Sequence, residues 1–184
     1  MFLKKILRDI KFKWQLRKTD RRDYSLSDIF NAPDKIVLLY PSQPNEQKSA
    51  DNFIKELTEL FDQARFTLVG NRDAGVKRVD YLKKATKLEP SYTEMLWSGL
   101  PGRQFVDKVV KEDADVLIEL AVRKDYFNAY VAACSKVPVR IGNYGSWGSP
   151  IYNLEIKSNY IQNEKLILRS IMDVLKSLKA GINN

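Results

Sequence analysis

The 184-residue chain contains no histidine. That absence removes the commonest general base and the commonest metal ligand together, so Ser-His and Cys-His hydrolase mechanisms and most zinc sites are excluded. Cysteine is nearly absent too. The single Cys134, in AYVAACSK, can form no disulfide within the chain, and with no histidine to activate it, its apolar helical setting predicts a packed thiol. No window approaches the roughly 18–20 consecutive apolar residues of a membrane span, and the N-terminus lacks the apolar centre of a secretory signal. The expectation is a cytoplasmic protein. Glycine is sparse where nucleotide binding needs it: the first β–α junction holds neither GxGxxG nor GxxxxGK[ST], which argues against a dinucleotide site or a P-loop. No cofactor and no metal are expected.

What is present begins with charge. Lysine and arginine exceed aspartate and glutamate by 31 to 23, a net +8. Residues 1–22 hold nine basic side chains against two acidic ones, a net +7, and the remaining 162 residues carry +1. A basic appendage on a nearly neutral body follows. In that appendage Leu3, Ile6, Leu7, Ile10 and Trp14 fall at the i, i+3, i+4 spacing of one helix face, with basic residues on the other. Such a helix can dock on the body, lie on an anionic membrane leaflet, or run along RNA. Lys4, Lys5, Arg8, Lys11, Trp14, Arg17 and Lys18 are its candidate contacts with membrane or RNA.

Residues 23–34 read as a connector. From Lys35 onward, short and nearly continuous apolar runs alternate with amphipathic segments: strand 35–40 (KIVLLY), helix 46–62, strand 66–70 (FTLVG), helix 75–84, an irregular stretch 86–104, helix 104–111, strand 115–120 (DVLIEL), helix 124–135, strand 138–142 (PVRIG), strand 152–156 and helix 161–178. Strands without polar alternation belong in a sheet buried on both faces. The pattern predicts a single doubly wound α/β domain over 35–184, mainly parallel, with the basic helix 1–22 attached. The 44% apolar content suits one domain of this size.

Ligands of such sheets sit beyond the carboxyl ends of the strands. The first such loop is PSQPNEQ, residues 41–47, where Asn45 is the expected helix cap and Glu46, at the first helical position, complements the dipole. Glu46 is also the one candidate for a general base at that junction. Two later loops, EMLWSGLPGRQF and RIGNYGSWGSPIYNLEI, place Trp97, Arg103, Arg140, Tyr144, Trp147 and Tyr152 among glycines. Aromatic and arginine side chains of this kind can stack a sugar or base and clamp an anion, or can simply cover a sheet edge. No motif for DNA readout is present.

Read together, DADVLIEL, AYVAACSKVPVRIGNY and YNLEI resemble a small bacterial family of Bacteroidetes-type genomes. That family is in turn distantly similar to the N-terminal half of heptosyltransferase-type glycosyltransferases, the family of the lipopolysaccharide ADP-heptose enzymes. The resemblance covers about residues 35–178. It implies a GT-B N-terminal-domain-like fold and sets Asn45-Glu46 on the Gly-Asp pair whose aspartate is the family's proposed acceptor base, although the glycine is not retained. GT-B enzymes bind the sugar nucleotide mainly in their C-terminal domain, and this chain is expected to carry one domain only. The resemblance therefore implies a non-catalytic binding or accessory protein, and the basic helix adds the inner membrane surface or a protein partner as what it meets. Its alternatives are a glycosyltransferase-related enzyme, with Glu46 as base, working beside a separate donor domain, and an RNA- or ribosome-associated protein.

Overall fold

The structure is a computed structural model that describes residues 2–19, 29–30, 32–76, 79, 82, 85–160 and 163–182. Among these are six strands, β1 (Lys35–Leu39), β2 (Arg65–Val69), β3 (Thr86–Leu88), β4 (Val116–Glu119), β5 (Val139–Asn143) and β6 (Leu154–Ile156). They form one sheet in the order β3-β2-β1-β4-β5-β6. Every pairing is parallel; β1, at the centre, sets Ile36 against Phe66 on one side and Val116 on the other. The connections run outward from β1 in one direction and from β4 in the other, so the topological switch point lies between these two strands.

The helices are α1 (Phe2–Leu16), α2 (Pro44–Leu60), α3 (Arg103–Val110), α4 (Tyr126–Cys134) and α5 (Glu164–Ile182). The continuous apolar character of β1 follows from its two covered faces. Ile36 and Leu38 pack with Phe53, Ile54 and Leu57 of α2 and with Leu168, Ile171 and Leu175 of α5. Val37 and Leu39 face the opposite way, toward Phe105 and Val109 of α3 and Phe127 and Val131 of α4. Phe30, upstream of β1, is buried in the first of these layers.

The doubly wound parallel architecture is as expected, with local corrections. The stretch 86–104, read as irregular, contains β3 and a 3-10 turn at Tyr92–Glu94. As a half-exposed edge strand of three residues, β3 carries no apolar run to reveal it and is defined by its pairing with β2. Helix α2 starts two residues earlier than expected, with Gln43 at the cap position and Pro44 opening the helix. Proline's fixed φ suits that first position, and its missing N–H removes a donor that the helix leaves unpaired in any case. Asn45 is accordingly not the cap; its amide donates to Glu164 at 3.2 Å. Helix α5 begins at Glu164 rather than 161 because the Asn163 carboxamide oxygen accepts the Leu166 N–H at 3.1 Å, a side-chain cap. The helix read over 75–84 falls largely on residues outside the described ones, as do 20–22 of the N-terminal segment and most of the 23–34 connector.

One close approach holds the far side of the sheet together. Gly142 of β5 lies under the ring of Tyr152, and a Cβ at that position would stand 2.6 Å from the ring carbons. Tyr152 is buried, so neither group has room to move. Gly142→Ala should therefore destabilise the protein by about 1–3 kcal/mol through overpacking, read as a lower urea midpoint with an unchanged slope.

Candidate functional site

The switch point is where this fold places ligands, and the loop leaving β1 reaches it first. The side chains of Ser42, Asn45, Glu46 and Gln47 in that loop each have a partner. Ser42 donates from Oγ to Asp125 Oδ2 and accepts from the Asn71 amide at 2.7 Å. Gln47 donates to the carbonyls of Pro41 and Ala74 at 3.3 and 3.1 Å. The ends of β2, β1 and β4 are thus cross-linked through Asn71, Ser42 and Asp125. Asp125 also caps α4, its Oδ1 accepting from the N–H groups of Phe127 and Asn128 at 2.9 and 3.1 Å.

Glu46 is buried in this arrangement. Its carboxylate accepts the Arg123 backbone N–H at 3.2 Å and that of Val122, and the Arg123 guanidinium stands 3.8 Å away while also reaching Glu164. Burial raises the Glu46 pKa, an effect opposed by those two amides and by Arg123. The side chain clips the loop after β4 to the first turn of α2, and its lone pairs face backbone donors.

A second carboxyl, Glu119 at the end of β4, is only 1% exposed. Tyr152 donates its hydroxyl to Glu119 Oε2. The remaining oxygen, Oε1, and Oδ1 of the neighbouring Asn128 lack hydrogen-bond donors, while the Asn128 amide nitrogen donates to the Tyr40 carbonyl at 3.3 Å. Burial pushes the Glu119 pKa well up, and the charges of Asp125 and Glu46 add to the shift. A proton on Glu119 would supply the donor that these two acceptors need. The switch point is therefore packed with one buried acid of raised pKa, one clipped carboxylate and one helix cap. Among the described residues, no three His, Cys, Asp or Glu side chains are grouped to hold a metal ion.

The aromatic and arginine candidates do not converge. Arg140 is fully buried and donates to three carbonyls, those of Val137 at 2.6 Å, Ile151 at 2.8 Å and Pro150 at 3.2 Å, which fixes the loop between β5 and β6. Tyr152, from the same loop, fills the space beside Glu119. Trp147 is half-buried against Phe12 and Tyr126, with ring centroids 5.0 and 4.8 Å away. Trp97 and Tyr144 project from the surface, 65% and 58% exposed. Arg103 is exposed and pairs with Asp107 at 3.6 Å one turn on. Sequence reasoning missed Ser42, Glu119, Asp125 and Asn128. An acid closing the apolar run VLIEL and an aspartate directly before a helix were the available signals.

Helix α1 forms the second candidate surface, with an orientation opposite to the one its stripe suggests. It lies on α4 through Phe12, which is 5% exposed and packs edge-on to Tyr126 at 5.6 Å. The Arg8 guanidinium stacks on Tyr126 at 3.8 Å, the Lys11 ammonium stands 5.9 Å from the Tyr130 ring, and Gln15 donates to the Ala133 carbonyl at 3.3 Å. At 3.6 residues per turn, Phe12 points roughly 180° away from the centre of the Leu3, Ile6, Leu7, Ile10, Trp14 stripe. That stripe faces outward, with Ile10 60% and Trp14 53% exposed. Lys4, Lys13, Arg17 and Lys18 are exposed along its edges, Lys5 is exposed on the Phe12 side, and the Lys18 ammonium sits over the Trp14 ring at 3.5 Å. Arg8 and Lys11, counted among the outer contacts from sequence, belong instead to the docked side. Cys134, at the end of α4, is largely enclosed, and burial pushes its thiol up to about 12.

The two buried acids give the protein a definite pH response. A carboxyl with a raised folded pKa stabilises the fold below the ordinary carboxylate range and loses that contribution as pH rises toward its folded value. Glu119→Gln keeps an acceptor for Tyr152 and offers a permanent donor toward Asn128. Its stability relative to the wild type should increase as pH rises from the ordinary carboxylate range to neutrality, measured by urea unfolding at several pH values. A difference that does not change with pH would show that Glu119 stays ionised.

No family model and no curated protein matches the chain. Among solved structures, the fold is similar to ADP-heptose lipopolysaccharide heptosyltransferase II of Escherichia coli, with a TM-score of 0.55 and 13% identity over 73% of this chain and 39% of that one. A family 9 glycosyl transferase from Veillonella parvula aligns with a TM-score of 0.49 and 11% identity over 85% of this chain and 42% of that one. The chain spans about two-fifths of the length of these proteins. At such identities the heptosyltransferase likeness is one of fold, and it bears out the α/β architecture that the resemblance implied.

Proposed function

We propose that this protein is a non-catalytic binding or accessory domain held on an anionic membrane surface by α1. The observation that carries the reading is the direction of the apolar stripe. A helix docked on its own domain normally buries its apolar face. Here Phe12 and Arg8 make the attachment and five large apolar side chains point to solvent with cations beside them. Contiguous exposed apolar patches mark interaction surfaces. The flanking charge selects the occupant: two copies meeting stripe to stripe would bring like-charged flanks together, whereas an anionic leaflet takes up both the apolar face and the cations. Among the described residues no helix is long and apolar enough to cross a membrane, and a helix lying in the interface needs no such length.

The non-catalytic part rests on Glu46. A general base must present a free lone pair to a substrate hydroxyl, and this carboxylate is buried on the N–H groups of Val122 and Arg123.

Vesicle flotation tests the membrane reading. Vesicles containing phosphatidylglycerol should carry the protein, and pure phosphatidylcholine vesicles should not. Ile6→Asp combined with Ile10→Asp should abolish flotation and leave the melting temperature unchanged, since both side chains point away from the body. Arg17→Gln with Lys18→Gln, neither of which lines the groove beside Phe12, should weaken binding by about 2 kcal/mol, roughly 30-fold, at about 1 kcal/mol per basic side chain. A large drop in melting temperature for the double aspartate variant would mean that the stripe is core, and displacement from vesicles by competing RNA would move the function to nucleic acid.

A further inference from the structure

Beside the docked face of α1 lies a groove of about 310 Å3, walled by Phe12, Leu16, Tyr126, Trp147, Pro150 and Ile151. Its size is at the small end of the ~300–1,000 Å3 typical of small-ligand sites. The wall is apolar and aromatic, and its three rings already pack edge-on or tilted to one another. No parallel pair of rings is left between which a flat base would slide. The polar groups gather at the rim, where Lys13, Asp9 and Ser149 complete the lining. Two further cations stand close by, Arg8 stacked on Tyr126 and the Lys124 ammonium 5.4 Å from the Trp147 ring. Lys13 and Asp9 balance within the lining, and Arg8 and Lys124, set against its aromatic walls, add two positive charges; Asp9 Oδ1 is buried without a hydrogen-bond donor, 3.7 Å from Arg8 Nε. The indole N–H of Trp147 is buried and has no acceptor.

We propose that this groove binds a single-chain anionic amphiphile, with the hydrocarbon chain against Phe12, Leu16 and Ile151 and the carboxylate or phosphate head at Lys13. An apolar wall under a net positive rim is complementary to that chemistry and to neither a neutral sugar nor a cation. The groove adjoins the docked side of α1, so its occupancy is separate from contact between the outward stripe and a leaflet, and the two can fail independently.

The test uses the full chain carrying Trp14→Phe and Trp97→Phe, both exposed positions, so that Trp147 is the sole indole. Titration with ω-bromododecanoate below its micelle concentration, without vesicles, should quench Trp147 fluorescence saturably. Lys13→Glu, a change of two charges, should weaken dodecanoate binding, measured by competition, by about 30-fold, and should leave dodecanol binding unchanged. Ser149→Phe, placed at the exposed mouth, should abolish quenching while the melting temperature stays the same. The Ile6→Asp, Ile10→Asp variant should retain full quenching. Linear, unsaturable quenching would overturn the proposal, as would quenching that survives Ser149→Phe or disappears in the stripe variant, because the chain would then lie outside the groove.

Discussion

The hydrogen bond from Tyr152 to the buried Glu119 organises the half of the molecule that carries α1. It joins the end of β4 to the loop between β5 and β6. The loop can close there because Gly142 lets the tyrosine ring lie on the β5 backbone and because Arg140 ties the loop's Pro150 and Ile151 carbonyls to that of Val137, ahead of β5. With the loop fixed, Trp147 is set against Tyr126, and the two rings make the seat for Phe12. The seat determines which side of α1 is inward. A contact inside the sheet edge thereby decides which residues reach solvent on a helix more than a hundred positions away in sequence.

The same contact accounts for the state of the switch point. A parallel sheet buried on both faces leaves polar groups at its strand ends with little water to turn to, so they must pair with one another or be neutral. Asp125 and Ser42 pair, Glu46 takes backbone amides, and Glu119 accepts the Tyr152 hydroxyl while burial pushes its pKa up. In this chain the loop after β1, with two prolines and no glycine, acts as a fastening.

How much of this was legible in the sequence depended on range. The four long strands, their parallel arrangement and the covering helices follow from apolar runs and 3.6-residue periods, which are local and strong. The three-residue β3 was invisible because an edge strand is defined by its neighbour. The site residues divided the same way: Asp125 before a helix is a local signal, whereas the pairing of Glu119 with Tyr152 spans 33 residues and leaves no spacing to read. Arg140 and Tyr152 looked like ligand groups because arginine and tyrosine among glycines serve recognition and loop-fastening equally well. Only their burial shows which groups they hold here.

The N-terminal helix was the hardest case for a physical reason. Its stripe is plain in the sequence, and a stripe ordinarily marks the buried side. Phe12, a lone aromatic between Lys11 and Lys13, gives no periodic signal, and its partners are supplied by segments beginning at Tyr126. One buried aromatic and a guanidinium stacked on a ring suffice to hold the helix because they engage preformed partners. The five apolar side chains opposite remain exposed, Trp14 meeting the Lys18 ammonium of its own segment. An isolated helix of 15 residues is marginal in water, so docking through Phe12 keeps the outward face assembled before any surface is met. On the membrane-surface role proposed above, that lowers the ordering cost that a disordered segment would bear, and it ties the direction of that face to the body of the domain.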